Sequence, residues 1–542
     1  MSKKTLVIGL DGFEMSLARR LFESHRMPNL ERLVRASATL ELDHGDAKRT
    51  GLAWEHFATG LQPASARRWS AVKFNPRTYA FTQEPTRLQP FAARLDCKTV
   101  VFDTPYFDLT RARRVQGLVS WGAHDPGTPP AARPASLIGE IEARFGAYPA
   151  QPWIYGFTWP SPQLAQQMGE DLVRATRVRT EISQWLLGER LKDWQLGVVV
   201  VSELHSAIEA LWHGVDPSHP LHGEASAPAA RAALEGVYCA VDELIGTLLE
   251  EFADCAQLVF SMHGMGTNTS DVPAMALLPE WLYRRTFKQP LMQCSDPDPV
   301  AELRGQAKPM WSSHVWQKMP GSSSFDDHAA KKTIAARLHR KVRHLLSLPH
   351  RDHISWMPAS WYADHWPQMP AFAMPAFYDG QIRLNVKGRE RNGVVDPGDY
   401  DTLCQQLIAD LSRCVDPATG KSAVQQTYVP HLGQPMAVSS TEADIVIVWQ
   451  GAPTSLQTPD GDVIGPVAPR RPGGHTGGNG VACWHGDHFK SGSYGVRSSF
   501  DVVPSLVEYL GVSCGAPIDG RSFMPDILQN SHGRETKSSR LP

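Results

Sequence analysis

Asp11, Thr50, His205, Glu209, His263 and His475 are the side chains here best suited to hold a divalent ion or to attack as a nucleophile. His205 and Glu209 stand four residues apart, so on a helix both project from one face. Such a pair can occupy two corners of one metal ion. A polar pair on a solvated helix face has the same spacing, and Glu209 with His213 repeats it one turn on. Asp11 lies between Leu10 and Gly12, where an acidic residue ordinarily caps or turns the chain. Thr50 precedes Gly51-Leu52-Ala53-Trp54, the opening of a helical stretch. It reads as a plain N-cap, or as a hydroxyl nucleophile beside N–H groups that favour a phosphoryl group. His263, before Gly264, is either a core histidine satisfied by backbone or a ligand. His475, among Gly473, Gly474, Gly477 and Gly478, is either a loop residue or a ligand.

The elements around these residues give them a common location. Thr5 to Leu10 is an apolar run ending at Asp11; Leu196 to Val201 precedes His205; Leu258 to Ser261 precedes His263. Short β-branched runs separated by helical stretches read as buried parallel strands. In such sheets ligands bind at the carboxyl ends of the strands. The expected fold is therefore α/β, with a mainly parallel central sheet flanked by helices. Further strands are expected at 99–102, 445–448 and 481–484. Helices are expected over 15–35 with a break at Pro28, from 205, over 227–251 and near 400–413. Residues 1–264 read as the first part of the core and 265–440 as an inserted cap or substrate region, with clusters such as Pro297-Asp298-Pro299. Residues 441–530 read as the second part of the core, and 531–542 as a flexible tail.

Bulk properties narrow the function. At 542 residues, 42% hydrophobic and 20% charged, the chain is a large globular protein. A formal net charge of −2 offers no basic field for a nucleic acid polymer or an acidic membrane. The opening apolar run stops at Asp11, too early for a signal peptide, and no run approaches a membrane span. Eight scattered cysteines without a Cys-x-x-Cys pair point to a reduced, cytoplasmic setting. The expected partner is a small-molecule substrate. His213, His219 and His222 read as surface or rim positions, and His485, Asp487 and His488 as an edge turn.

Several stretches together carry a resemblance. They are Val7-Ile8-Gly9-Leu10-Asp11-Gly12, Met27-Pro28-Asn29-Leu30, Ala53 to Gly60, and Ala210-Leu211-Trp212-His213 with Asp216-Pro217-Ser218-His219-Pro220. Later come Ser261-Met262-His263-Gly264, His475 with Gly480-Val481-Ala482, and Asp501 to Ser505 leading to Asp519-Gly520-Arg521. In order and spacing the chain resembles the alkaline phosphatase superfamily, in its type I phosphodiesterase/nucleotide pyrophosphatase branch. The resemblance implies two divalent ions, Zn2+ foremost with iron or manganese as alternatives, flanking a Ser or Thr nucleophile. One ion would be held by Asp11, Thr50 and the dipeptide Met262-His263, the other by His205, Glu209 and His475.

Three positions depart from the pattern. His205 stands where an Asp is expected, Glu209 where a His is expected, and Met262 where an Asp is expected. The first two exchange one ligand type for another and leave a complete set of two imidazoles and a carboxylate. Met262 offers only a thioether, a poor partner for a hard ion. The leading expectation is thus a metal-dependent hydrolase or transferase of phosphodiesters, phosphate or related esters, acting through Thr50. Two alternatives stand beside it. One is a one-metal enzyme of oxygen-dependent chemistry, with two histidines and a glutamate on the ion. The other is a non-catalytic descendant that binds without turnover.

Overall fold

The computed structural model describes residues 3–123, 125, 128–155, 161–294, 297–304, 311–319 and 354–529, so the expected tail lies outside them. Runs buried on both faces become the middle of a nine-stranded sheet. Its strands are Thr5–Leu10 (β1), Ala38–Asp43 (β2), Thr99–Phe102 (β3), Val115–Val119 (β4), Ala131–Arg133 (β5), Leu196–Val201 (β6), Ala256–His263 (β7), Asn479–His485 (β8) and Gly492–Ser498 (β9). Across the sheet they run β9-β2-β8-β7-β1-β6-β3-β4-β5. The central strands β7, β1, β6, β3 and β4 are all parallel. β8 runs antiparallel to both β7 and β2. The mainly parallel sheet expected from the apolar runs is present.

Each face of this sheet carries its own apolar layer. Leu6, Ile8 and Leu10 pack with residues of the helices Met15–Glu23, Pro28–Ala36, Pro162–Gln184, Glu203–Leu211 and Ala227–Glu251. Val7, Val198 and Val200 pack on the other side with Trp54, Phe57 and the helix Val502–Leu510. This alternation follows from the two-residue period of a strand. Deep inside, Arg179 ties the layers' ends together. It donates to Glu203 Oε2 at 2.9 Å and to Asp103 Oδ2 at 2.8 Å, with all three side chains fully buried. A buried charge is tolerated when it is paired and hydrogen-bonded in this way.

A second, antiparallel sheet runs Ala371–Ala373, Gly380–Leu384, Ile445–Trp449, Val424–Tyr428. Two expectations change here. Ile445–Trp449 is a strand, but it does not return to the central sheet, because both its edges pair with Gly380–Leu384 and Val424–Tyr428. The chain rejoins the central sheet only at Asn479. The hairpin of Val72–Asn75 and Ala80–Gln83, expected within the first core, gives Val72, Phe74, Tyr79 and Phe81 to the apolar core under the second sheet. Among the described residues no helix is long and apolar enough to cross a membrane.

Candidate functional site

The carboxyl edge of the central sheet gathers most of the residues singled out. Asp11 directly follows β1, and its N–H bonds Val201 O of β6 at 2.9 Å. The next residue, Gly12, has φ +75°, and a Cβ there would overlap His205 Cα. Its missing side chain is what lets the turn after β1 touch the helix after β6. That helix, Glu203–Leu211, is buried along its whole length. The His205/Glu209 spacing is therefore not a solvated surface pair. His475 arrives from the loop before β8, whose Asn479 pairs with His263 at the end of β7.

Hydrogen bonds fix the ring orientations. His205 Nδ1 stands 3.0 Å from Asp11 Oδ2 and its Nε2 3.3 Å from Glu209 Oε1, so the ring lies between two carboxylates. His263 Nδ1 donates to Gly264 O at 2.9 Å. Burial lowers the pKa of His263, and its Nε2 stands 3.4 Å from His475 Nδ1. His475 Nε2 stands 3.3 Å from the Tyr378 hydroxyl. The rings of His205 and His475 stand 4.9 Å apart, edge to face.

These residues fit one divalent ion. His205, Glu209 and His475 each offer a ligand atom within 4.8 Å of the others, and they are the one such group among the described residues. Glu209 Oε2 is buried without a hydrogen-bond partner in the structure. Two imidazole nitrogens and a carboxylate oxygen make a complete donor set for zinc and related ions. A carboxylate on the far nitrogen of a ligating histidine, as Asp11 is on His205, is a recurrent support for such sites.

Among the described residues no second group of His, Cys, Asp and Glu forms such a set. Met262 is buried in the apolar layer that also holds Trp54, Phe57 and Phe260. Thr50 is close to the edge but turned into its own loop. Its Oγ1 donates to Ala47 O at 2.7 Å and accepts from Leu52 N at 3.1 Å. The expected helix start at Thr50 moves to Ala53, since Gly45–Thr50 forms a 3-10 turn of its own. Asp11, Thr50 and His263 therefore border the three-residue group without joining it.

Several partners were not evident from the sequence. Arg471 is buried and pairs with Glu209 and with Asp271, the latter at 2.8 Å. Tyr378 lies over the site, and its neighbour Asp379 binds Arg49 at 2.9 Å, beside Thr50. The signal for Arg471 was present: a buried-helix carboxylate at 209 demands a counter-charge, and Arg470-Arg471 directly precedes the glycine loop of His475. His213 and His219, expected near the surface, are buried. His213 Nε2 sits 3.0 Å from Ser226 Oγ, and the group that forms around Glu209 holds His205 and His475 in its place. His485 lies opposite Gln257, at the sheet end away from His263.

The family model of type I phosphodiesterase / nucleotide pyrophosphatase matches residues 5–458. The chain belongs to this family. Among solved structures, human ectonucleotide pyrophosphatase / phosphodiesterase 5 is similar at 12% identity, with 97% of this chain and 100% of that chain covered and a TM-score of 0.46. The murine protein is similar at 13% identity with the same coverage and TM-score, including an inactive form in complex with AMP. No curated protein matches the sequence.

Proposed function

We propose that this protein is a phosphoester hydrolase that uses one divalent ion at His205, Glu209 and His475, with Thr50 as nucleophile. The observation that carries the reading is the convergence of those three side chains beside Asp11, with Tyr378 packed on both His475 and Gly51, next to Thr50. Bound there, a divalent ion would supply Lewis-acid polarisation of a phosphoryl oxygen. Asp11 holds His205 in the tautomer that presents Nε2. Thr50 Oγ1 must leave Ala47 O to attack phosphorus, forming a phospho-threonine ester as the alcohol departs, and water then cleaves that ester. Tyr378, on His475, and Asp379, on Arg49, would stand beside a substrate held there.

Hydrolysis of an aryl phosphodiester by the metal-loaded protein, lost in Thr50→Ala, is the expected result. Full metal occupancy with no turnover of phosphodiesters or monoesters would reject the catalytic reading. The Glu209–Arg471 pair favours one alternative, a binding protein descended from an enzyme, because it supplies the carboxylate with a counter-charge in the absence of an ion. That alternative predicts tight binding of a phosphate ester with no release of alcohol.

A further inference from the structure

Arg471 spans two carboxylates from a buried position. Its Nη1 lies on Glu209 Oε1, the same oxygen that faces His205 Nε2. Its Nε donates to Asp271 Oδ2 at 2.8 Å, and Nη2 stands 3.5 Å from Asp271 Oδ1. Asp271, itself 2% exposed, also accepts from Arg470 Nη1 at 2.7 Å. Glu209 is thus shared between a guanidinium and His205, while Asp271 is held by both arginines and by Asn268.

A cation entering beside His205 and His475 needs Glu209 and meets Arg471 on that carboxylate. Two cations on one buried oxygen repel strongly, because little water screens them. The space beside the guanidinium on its Asp271 side is small. A cavity of about 20 Å³, room for roughly one water, adjoins it and is lined by His219, Asn268, Asp271 and Arg470. The local charge changes sign in the exchange. Asp11, Glu209 and Asp271 outnumber Arg470 and Arg471 by one, and a divalent ion turns that into an excess of one positive charge.

We propose that Arg471 and a divalent cation compete for Glu209, and that the displaced guanidinium, still tethered to Asp271, binds a phosphate oxygen of the substrate. This rests on the metal site of the proposed function and adds its regulation: cation and oxyanion bind cooperatively. By linkage, each raises the affinity of the other by the same factor. Arg471 suits the task, since its planar fork can serve a carboxylate with one edge and a phosphate with another.

The test measures Zn2+ affinity of the full chain by competition with a chromophoric chelator, with and without inorganic phosphate. In the unaltered protein phosphate tightens Zn2+ binding, by roughly tenfold if the coupling is of ordinary size. In Arg471→Met, Zn2+ binds more tightly than in the unaltered protein and phosphate no longer affects it. Equal affinity in the two proteins, or a phosphate effect that survives Arg471→Met, overturns the competition. If Arg471→Met does not fold, Asp271→Asn takes its place: untethered from Asp271, Arg471 holds Glu209 more firmly and Zn2+ affinity falls, whereas unchanged affinity overturns the proposal. Zn2+ bound by neither protein would remove the metal site itself, and this inference with it.

Discussion

The ring of Tyr378 lies directly on Gly51, so close that a Cβ at that position would overlap it. Gly51 has φ +68° and closes the 3-10 turn that ends in Thr50. Two consecutive residues therefore touch the loop of the proposed nucleophile, Tyr378 on Gly51 and Asp379 on Arg49 at 2.9 Å. The loop's shape depends on a residue more than three hundred positions away in sequence.

Gly51→Ala should be costly for two separable reasons. The left-handed backbone costs about 1–2 kcal/mol for a residue with a Cβ, and the Tyr378 ring must also move. In the double variant with Tyr378→Ala the steric part should vanish and the backbone part remain. Denaturant midpoints for the double-mutant cycle check this. Additive effects would mean that the ring does not press on this turn.

Asp11 and His475 should separate an orienting role from a ligand role. Asp11→Asn keeps the ring of His205 in place but weakens its support, so metal affinity should fall roughly 10–100-fold with stoichiometry unchanged. His475→Ala removes a ligand and should abolish retention through gel filtration, while leaving the fold intact because the residue sits in a loop at the sheet edge. Metal content and affinity of both variants decide it. A larger loss in Asp11→Asn than in His475→Ala would reverse the two roles.

Much of this architecture was legible. Strands β1 and β6 stand out as unbroken apolar runs because both their faces are buried. β9, Gly492–Ser498, is largely exposed and carries no such run; its place comes from pairing with β2. Ile445–Trp449 could be recognised as a strand but not assigned to a sheet, since an apolar run does not name its partner. The site divides in the same way. His205, Glu209 and His475 followed from spacing and resemblance, whereas Arg471, Tyr378 and the burial of His213 arise from contacts between distant segments.

Acid should destabilise the fold through buried neutral histidines. Burial pushes His213 and His219 down to about 4, helped by His222 beside His213 and by His213 beside His219. His56 is pushed down to about 3, by burial and then by Arg68. In the unfolded chain these rings titrate near pH ~6.5. Below that value the unfolded state takes up protons that the folded state refuses. Their contribution to stability is therefore complete above pH ~6.5 and is lost as pH falls towards 4 and then 3, at about 1.4 kcal/mol per unit of pKa difference. Thermal midpoints between pH 8 and 5 should fall on acidification, and less steeply in His219→Gln. A midpoint that is flat or rises over this range contradicts the assignment.

Met262 decides whether a second ion can be restored. It is buried at the end of β7 in the apolar layer with Phe260 and Trp54. An aspartate there would place a carboxylate among side chains that offer it no hydrogen bond, and it would also give up the buried thioether. The expected cost is about 3 kcal/mol or more. Met262→Asp should therefore lower the thermal midpoint and leave metal stoichiometry at one ion or fewer. The opposite outcome has an equally plain meaning. If the variant folds normally and gains an ion, position 262 reaches the edge where Asp11, Thr50 and His263 meet, and the chain keeps the frame of a two-metal site with one ligand missing. Stoichiometry and midpoint, measured on the same sample, separate the two: a lowered midpoint without an added ion places Met262 in the core, and an added ion with an intact midpoint places it at the site.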